Sequence, residues 1–480
     1  MTSPSSTVAN IGVVGITQVA AVALSQIVLI VLARVLDPGD FGIYAICLVF
    51  VNILTCVSMF GLDSAAIHRQ TDPDKAIGSA TFLRFCLSIV ISVALIILAP
   101  VIAEIVGNDL LLDPLRFASI AIIVATFGFE TSVKLTKDLR FKSVSAAKAT
   151  NTVVWSGAAL VLAYLGFKYW SLLIALVAGM IASAIMLWMI RPWKIIHKLD
   201  TKIAREMLRY GAFSMGTGLV ALMIVNFDKL VVGAVLGSPA LVGAYYVAFS
   251  YGMTVPNLFT GVVGTVMFPT FSKMQNDLTT LRSRYLRSLK YLSYISIPAG
   301  VGLAVISKPF VLNVLGSEWS DAVAPLAILS GFGILSSLSV PAGCVFLATG
   351  NPHRMFRQTW AIAVIFFVFL IPAVYYWKLV GVATLFVLIG LVSSIWVFLM
   401  VADILKFSLL TEFRMLYVPI IASAAMATLS LGVGSLMEVS LLSLVAQTAV
   451  AIPTYVVCVY LLTKGEVVKE VKDLLASARR

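Results

Sequence analysis

Residues 85–103 read FCLSIVISVALIILAPVIA, a run of 19 residues without a charged side chain, bounded by Arg84 and Glu104. About 20 apolar residues in an α-helix cross the roughly 30 Å hydrocarbon core of a bilayer. In lipid, a helix is the simplest single segment that satisfies all of its own backbone N–H and C=O groups. This run therefore predicts a transmembrane helix, and hence a membrane protein.

Similar runs fill the chain on either side of residues 85–103. The sequence is 60% hydrophobic and only 12% charged, about half the charged fraction of a soluble domain. A single water-soluble core could not hide this much apolar surface, so lipid must be the solvent. We predict an all-α polytopic membrane protein with about fourteen transmembrane helices, at 11–36, 41–63, 80–104, 114–133, 145–165, 169–190, 210–236, 241–268, 290–314, 322–348, 357–377, 380–402, 415–436 and 439–462.

The loops between these spans differ in charge. If the N-terminus is cytoplasmic, basic side chains concentrate in alternate loops, above all in 134–148, 191–209 and 273–290, and in the tail 463–480, whereas the opposite loops lean acidic, as in 104–109. Cytoplasmic loops carry an excess of Lys and Arg, so we expect both termini in the cytoplasm. The net charge of +12 is accounted for in this way, and no nucleic-acid partner is expected.

Two segments about 200 residues apart echo each other. Residues 35–44 read VLDPGDFGIY, and residues 235–245 read VLGSPALVGAY, with one residue inserted. Six predicted helices separate the copies, and an even number preserves direction through the membrane. The echo predicts two parallel six-helix lobes with a shared cavity between them. The predicted division is an N-lobe 1–190, a basic cytoplasmic linker 191–209, a C-lobe 210–402, two further helices in 403–462 and a cytoplasmic amphipathic tail 463–480.

Ionisable side chains in or at the ends of the predicted spans are the candidates for a functional site. They are the cations Lys229, Arg84 and Arg34 and the carboxylates Asp228, Asp63 and Glu130. Each costs at least about 2.5 kcal/mol at the bilayer centre unless it faces water or a partner. Three cations at one cavity suit a diphosphate, although Arg34 and Arg84 also lie where Arg side chains snorkel to the headgroups. The carboxylates are candidate ion-coupling residues or structural partners of the cations.

Enzymatic motifs are absent from the sequence. The five cysteines form no CxxC pair, the three histidines are isolated from one another, and no GxxxxGK[ST] loop or nucleophile elbow occurs. We therefore expect no catalytic residues, no metal and no cofactor.

Several of these segments resemble one known family. The stretches 32–44, 60–67, 139–142, 166–172, 226–233, 243–245 and 315–322 are similar, in order, to bacterial polysaccharide exporters of the O-antigen-flippase type, within the multidrug/oligosaccharidyl-lipid/polysaccharide exporter superfamily. The resemblance implies two six-helix lobes forming a V, and alternating access by rocking of the lobes. It implies that an undecaprenyl-diphosphate-linked oligosaccharide is flipped across the bacterial inner membrane, for exopolysaccharide, capsule or O-antigen biosynthesis. Implied partners are membrane lipid, a polysaccharide polymerase and a chain-length regulator, and the two C-terminal spans resemble those that shape a lipid-tail groove in the lipid II flippase.

Two other functions are open on the sequence. An ion-coupled multidrug antiporter of the same superfamily is expected to carry acidic residues deep in the first lobe, and the first span has none. A membrane glycosyltransferase, polymerase or ligase needs an extracytoplasmic loop that carries a sugar site, and the outer loops are short. The sequence does not distinguish ion coupling from drive by the membrane potential.

Overall fold

The computed structural model describes residues 4–69, 72–138, 140–192 and 199–466, and these residues form helices without a strand. The α-helices are α1 Pro4–Val35, α2 Pro38–Met59, α3 Leu62–His68, α4 Pro73–Val106, α5 Leu112–Val124, α6 Phe129–Lys137, α7 Phe141–Tyr164, α8 Tyr169–Ile190, α9 Thr201–Leu236, α10 Pro239–Gly252, α11 Thr254–Lys273, α12 Leu278–Val305, α13 Ser307–Phe310, α14 Val323–Ala348, α15 Pro352–Leu405, α16 Leu409–Ser435 and α17 Leu441–Thr463. The predicted all-α polytopic membrane fold is confirmed.

Within the described ranges, nine helices are long and apolar enough to cross a membrane, or up to eleven if each of two bent helix pairs is one span. The bent pairs are α5 with α6 and α12 with the α13 segment. Helix α15 has non-helical dihedral angles at Lys378 (φ 49°, ψ −135°) and covers two predicted spans. Each predicted span thus coincides with a helix or a helix pair, while the number of fourteen crossings stays a prediction.

The chain divides into two compact units, which we call unit 1 (Met1–Val247 with Thr359–Val382) and unit 2 (Ala248–Gln358 with Ala383–Arg480). In unit 1, α7 packs against α1 and α8, and α9 packs against α2, α3 and α4. In unit 2, α12 packs against α11, α14 and α16, and α16 packs against α17. The predicted division into lobes stays a prediction.

Within unit 1, the echoed segments contact each other. A Cβ atom at Gly42 would collide with the carbonyl oxygen of Pro239, and a Cβ atom at Gly243 would collide with the carbonyl oxygen of Pro38. Each glycine therefore permits the close approach of the opposite proline backbone. The glycine of each echoed segment thus packs on the proline of the other segment, so the contact between the two segments is reciprocal.

The segment before α9 differs from the sequence-based expectation. Helix α9 begins at Thr201 because the Asp200 side chain accepts hydrogen bonds from the backbone N–H groups of Lys202 and Ile203, which satisfies donors that a helix start otherwise leaves free. The end of the predicted linker 191–209 is therefore helical. Residues 193–198 of that linker, and residues 467–480 of the predicted amphipathic tail, lie outside the described residues.

Candidate functional site

Unit 1 contains two adjoining cavities of about 360 Å³ and about 350 Å³, which we call together the unit-1 cleft. Both are lined by Lys148, Asn151 and Ser183. The first cavity adds Asp63 and Arg84. The second adds polar side chains of α1 and α7, namely Thr17, Gln18, Ser25, Ser145 and Thr152. Both cavities are of ligand size; the second is mainly polar, whereas the first combines a few polar side chains with an apolar lining that includes Phe127 and Leu187.

Arg84 is the buried cation of this cleft. The residue is 4% exposed, one guanidinium Nη donates to the backbone oxygen of Ala125 over 2.7 Å, and the guanidinium carbon lies 4.7 Å from the ring centroid of Phe129. Its Nε is buried and has no hydrogen-bond partner in the part of the chain that the structure describes. A buried donor without an acceptor is costly, so Arg84 has a hydrogen-bonding capacity that these residues leave unused.

Two glycine breaks position the groups around Arg84. Gly128, with φ 80°, begins α6 after a bend of 41° from α5, which leaves the terminal carbonyl of Ala125 free to accept from Arg84. Phe60 and Gly61 adopt left-handed dihedral angles between α2 and α3, so that Asp63 lies in the first turn of α3. A positive φ is most easily adopted by glycine, and the break therefore depends on Gly61.

The charge of the cleft is positive. Its lining includes two cations, Arg84 and Lys148, and one carboxylate, Asp63. In the described ranges no ion pair joins Arg84 to Asp63 within 4.0 Å. The lining of the first cavity therefore has one more cation than carboxylate, and such a cleft attracts an anion.

The predicted cation Lys229 lies in a different environment of unit 1. Asp228 is 0% exposed and Lys229 is 4% exposed. The Lys229 ammonium donates to Asp228 Oδ1 at 2.9 Å and to the Val225 carbonyl at 2.7 Å, and the Tyr245 hydroxyl donates to Asp228 Oδ2 at 2.8 Å. The sequence left open whether Asp228 and Lys229 pair, because neighbouring helical side chains point about 100° apart. The Lys229 side chain is long enough to reach Asp228 in spite of this angle. The three groups form the buried triad Asp228–Lys229–Tyr245.

The other two candidates, Arg34 and Glu130, are not among the described residues that line the cleft. Arg34 is exposed in the last turn of α1, where a cation interacts favourably with the helix dipole. Glu130 is 6% exposed and accepts from the Lys134 ammonium over 2.7 Å, while Lys134 also pairs with Asp74 at 3.3 Å. Glu130 is therefore a partner of a cation. Substrate or ion binding by these residues stays a prediction.

Sequence reasoning missed Lys148 and Tyr245 as members of these sites. Lys148 had been assigned to a basic loop, although it falls inside the predicted span 145–165, and α7 in fact begins at Phe141. An ionisable residue inside a predicted span is a candidate for a functional site, and this criterion would have identified Lys148. Nothing in the sequence pairs Tyr245 with Asp228, which lies 17 residues earlier.

A solved structure and two curated proteins are similar to this chain. A structure of the lipid II flippase MurJ in an inward closed conformation matches with a TM-score of 0.76 at 15% identity, and the match covers 94% of this chain and 100% of that one. This likeness shows the fold alone. The teichuronic acid biosynthesis protein TuaB of Bacillus subtilis is 25% identical over 409 residues, 84% of each chain. The lipopolysaccharide biosynthesis protein WzxC of Escherichia coli is 25% identical over 351 residues, 71% of this chain and 70% of that protein.

A family model also matches residues 31–324, more than half of the chain. The matched range contains all of the stretches on which the sequence resemblance was based, from 32–44 to 315–322. The expected family relationship is confirmed, and this chain belongs to the family described as polysaccharide biosynthesis protein.

Proposed function

We propose that this protein is a flippase that moves undecaprenyl-diphosphate-linked oligosaccharide repeat units from the cytoplasmic to the periplasmic leaflet of a bacterial inner membrane. Its family and the names of its relatives refer to polysaccharide and lipopolysaccharide biosynthesis, and its fold is that of a lipid II flippase. The observation that carries the proposal is the buried Arg84 in the unit-1 cleft, with its orphaned Nε. In this role the chain binds and releases lipid but makes or breaks no covalent bond.

The diphosphate group is the part of such a lipid that Arg84 suits. A guanidinium binds phosphate oxygens with two parallel N–H bonds, and a Lys ammonium binds them as a point charge. Arg84 and Lys148 line the same cavity, so a diphosphate between them would be neutralised from two sides. In this conformation Asp228 neutralises Lys229, so Arg84 is the first candidate for the diphosphate and Lys229 the second.

The sugar portion suits the second cavity of the cleft. Amide and hydroxyl side chains line it, among them Gln18, Asn151 and Thr152. Sugar hydroxyls both donate and accept, and amides and hydroxyls offer both functions in return. Since Lys148 and Asn151 line both cavities, the diphosphate and the sugar of one ligand would lie side by side.

The remaining parts of the proposal concern architecture and partners. They are fourteen crossings with both termini in the cytoplasm, two lobes that form a V and rock between inward-open and outward-open forms, and α16 and α17 as helices that hold the lipid tail. The proposed role of α16 and α17 in holding the lipid tail is supported by the large apolar side chains that both helices expose, such as Leu431 and Leu442. A polysaccharide polymerase and a chain-length regulator are the partners that would use the flipped lipid.

A multidrug antiporter of the same superfamily is the alternative function. A cationic drug would require a cleft of negative charge, whereas Arg84 and Lys148 outnumber Asp63 in the lining of the first cavity. This balance favours an anionic ligand.

Lipid binding to purified variants tests the proposed function. Arg84→Gln should weaken binding of a polyprenyl diphosphate by about tenfold or more, because a hydrogen bond to a charged group contributes about 1.5–3 kcal/mol. Lys148→Gln should have a smaller effect, because Lys148 is exposed and solvent screens its charge. Lys142→Gln is the matched control, since Lys142 is an exposed lysine six residues earlier on α7 and is not among the described residues that line the cleft.

Equal affinities of the wild type and Arg84→Gln would contradict the assignment of Arg84. Equal binding of the diphosphate and of an uncharged polyprenol would contradict the proposed ligand class.

A further inference from the structure

Unit 2 contains a buried carboxyl group that the proposed transport site does not use. Glu412 lies in the first turn of α16 and is 0% exposed. The Tyr285 hydroxyl on α12 donates to Glu412 Oε1 over 2.7 Å. Oε2 is buried and has no hydrogen-bond partner in the described residues. An ionised carboxylate prefers several donors around its two oxygens, and this one has a single donor.

The surroundings of Glu412 are apolar. Tyr285 belongs to the buried cluster of unit 2 that also contains Leu281, Leu289 and Leu416, and the ring of Tyr285 lies 6.2 Å from that of Phe407. Leu416 is one helical turn after Glu412 and therefore on the same face of α16. A carboxylate here would have lost its water without gaining polar neighbours, and an unpaired buried charge is strongly disfavoured.

No cation in the described residues neutralises Glu412. The other ionisable groups on or next to the helices around it include Arg282, Arg284, Arg287, Lys290, Tyr291 and Tyr294 on α12, Lys273 on α11, Cys344 on α14, His353, Arg354, Arg357, Asp403 and Lys406 on or next to α15, Arg414 and Tyr417 on α16, and Glu438, Tyr455, Cys458, Tyr460, Lys464 and Glu466 on or next to α17. In the structure as described, none of them forms an ion pair or a hydrogen bond with the Glu412 carboxyl. Arg282 instead lies over the Phe407 ring at 5.1 Å, and Asp403 pairs with Arg354 at 2.6 Å.

Two features in the described residues favour an anion at this position, the hydrogen bond from the Tyr285 hydroxyl and the start of α16. The positive end of a helix dipole attracts a carboxylate, but the Glu412 oxygens accept no backbone N–H in the described residues. Ser408 caps the helix instead, by accepting from the N–H of Leu410. The dipole and the single hydrogen bond from Tyr285 offset only part of the cost of burying a charge. The balance favours the neutral acid.

We propose that Glu412 is a proton-binding site of unit 2. The proton resides on Oε2, while Oε1 accepts the hydrogen bond from Tyr285, as long as α12 and α16 remain packed together. Release of the proton leaves a carboxylate in the apolar cluster, and this favours separation of the two helices and entry of water. The site lies outside the unit-1 cleft, and its occupation does not depend on whether the protein transports lipid.

Infrared spectroscopy of the protein in bilayers at neutral pH tests the proposal directly. The wild type should show a C=O band of a protonated carboxyl that Glu412→Gln lacks, and Tyr285→Phe should shift that band because the hydrogen bond to Oε1 is lost. Glu438→Gln, a matched change at an exposed Glu of unit 2, should leave the band in place. A band unaffected by Glu412→Gln overturns the proposal.

Thermal unfolding as a function of pH provides a second measurement. A group that holds its proton more firmly in the folded state stabilises the fold at low pH, and this stabilisation is lost as the pH rises. The unfolding midpoint of the wild type and of Glu438→Gln should therefore fall more steeply towards alkaline pH than that of Glu412→Gln. Glutamine has the shape of the protonated acid, so this variant should fold. Parallel pH profiles in all three proteins would overturn the proposal.

Discussion

Replacement of Lys229 by methionine should strongly destabilise unit 1. The substitution keeps most of the side-chain length but removes the ammonium that lies 2.9 Å from Asp228 Oδ1 and 3.2 Å from Oδ2. Asp228, which is 0% exposed, is then left with the Tyr245 hydroxyl as its remaining donor among the described residues. Removing one partner of a buried ion pair costs about 3–5 kcal/mol, because the other charge stays buried without compensation. The folded fraction should fall by about two to four orders of magnitude relative to the unfolded one.

The double variant Asp228→Asn/Lys229→Met tests this reasoning. With both charges removed, no uncompensated charge remains, and most of the lost stability should return, since replacing a whole buried pair is often nearly neutral. The measurement is the free energy of unfolding in detergent for the wild type, both single variants and the double variant, with Lys308→Met as an exposed control. A double variant as unstable as Lys229→Met, or a single variant as stable as the control, would refute the account of the triad.

The same variants separate the structural role of Lys229 from its predicted role in substrate binding. Lys229→Ala should abolish polymer export whether Lys229 stabilises the fold or binds the substrate. If Lys229 also binds the diphosphate, the double variant Asp228→Asn/Lys229→Met should fold but fail to export polymer. Export by the double variant at the wild-type rate would remove Lys229 from the substrate site.

Three further predictions concern other parts of the chain. Gly42→Ala should destabilise the protein by about 1–3 kcal/mol, because the new Cβ collides with the backbone of α10, whereas Gly39→Ala on the same helix meets no atom within 4 Å and should be neutral or stabilising in the same unfolding measurement. Hydrogen bonds from Thr280 lower the pKa of the exposed Asp277 carboxyl below its usual value, so the stability that Asp277 adds should be lost as the pH falls through that lowered pKa. The thermal unfolding midpoints of the wild type and Asp277→Ala should therefore converge in acid, and a difference that stays constant with pH would contradict this prediction. A reporter fused after Arg480 should show a cytoplasmic location, and a periplasmic signal would contradict the predicted orientation.

The fold was largely predictable because the membrane imposes a simple rule on the sequence. Long apolar runs such as 85–103 must be helices in lipid, and each predicted span has a helical counterpart. The interruptions were not predictable in detail, because they depend on individual backbone conformations. Gly128 divides one predicted span into α5 and α6, whereas the bend at Lys378 within α15 falls between the predicted spans 357–377 and 380–402.

The candidate site was predictable only in part. The cost of a charge in lipid identified Arg84, Asp63 and the pair Asp228–Lys229 as unusual, but not which of them meet. That depends on tertiary packing: Arg84 and Asp63 line one cleft, whereas the Asp228–Lys229 pair is completed by Tyr245 of another helix. Glu412 escaped notice because it lies before the predicted span 415–436, and its burial arises from the packing of α12 on α16.

The most direct measurement of the central claim is movement of lipid by the purified protein. Liposomes that contain the wild type should translocate a fluorescent polyprenyl-diphosphate sugar between leaflets without ATP, and the rate should fall in Arg84→Gln but not in the control Lys142→Gln. If the wild type moves this lipid no faster than protein-free liposomes, the proposed function is contradicted. If Arg84→Gln moves it as fast as the wild type, the cleft around Arg84 is not where the lipid binds.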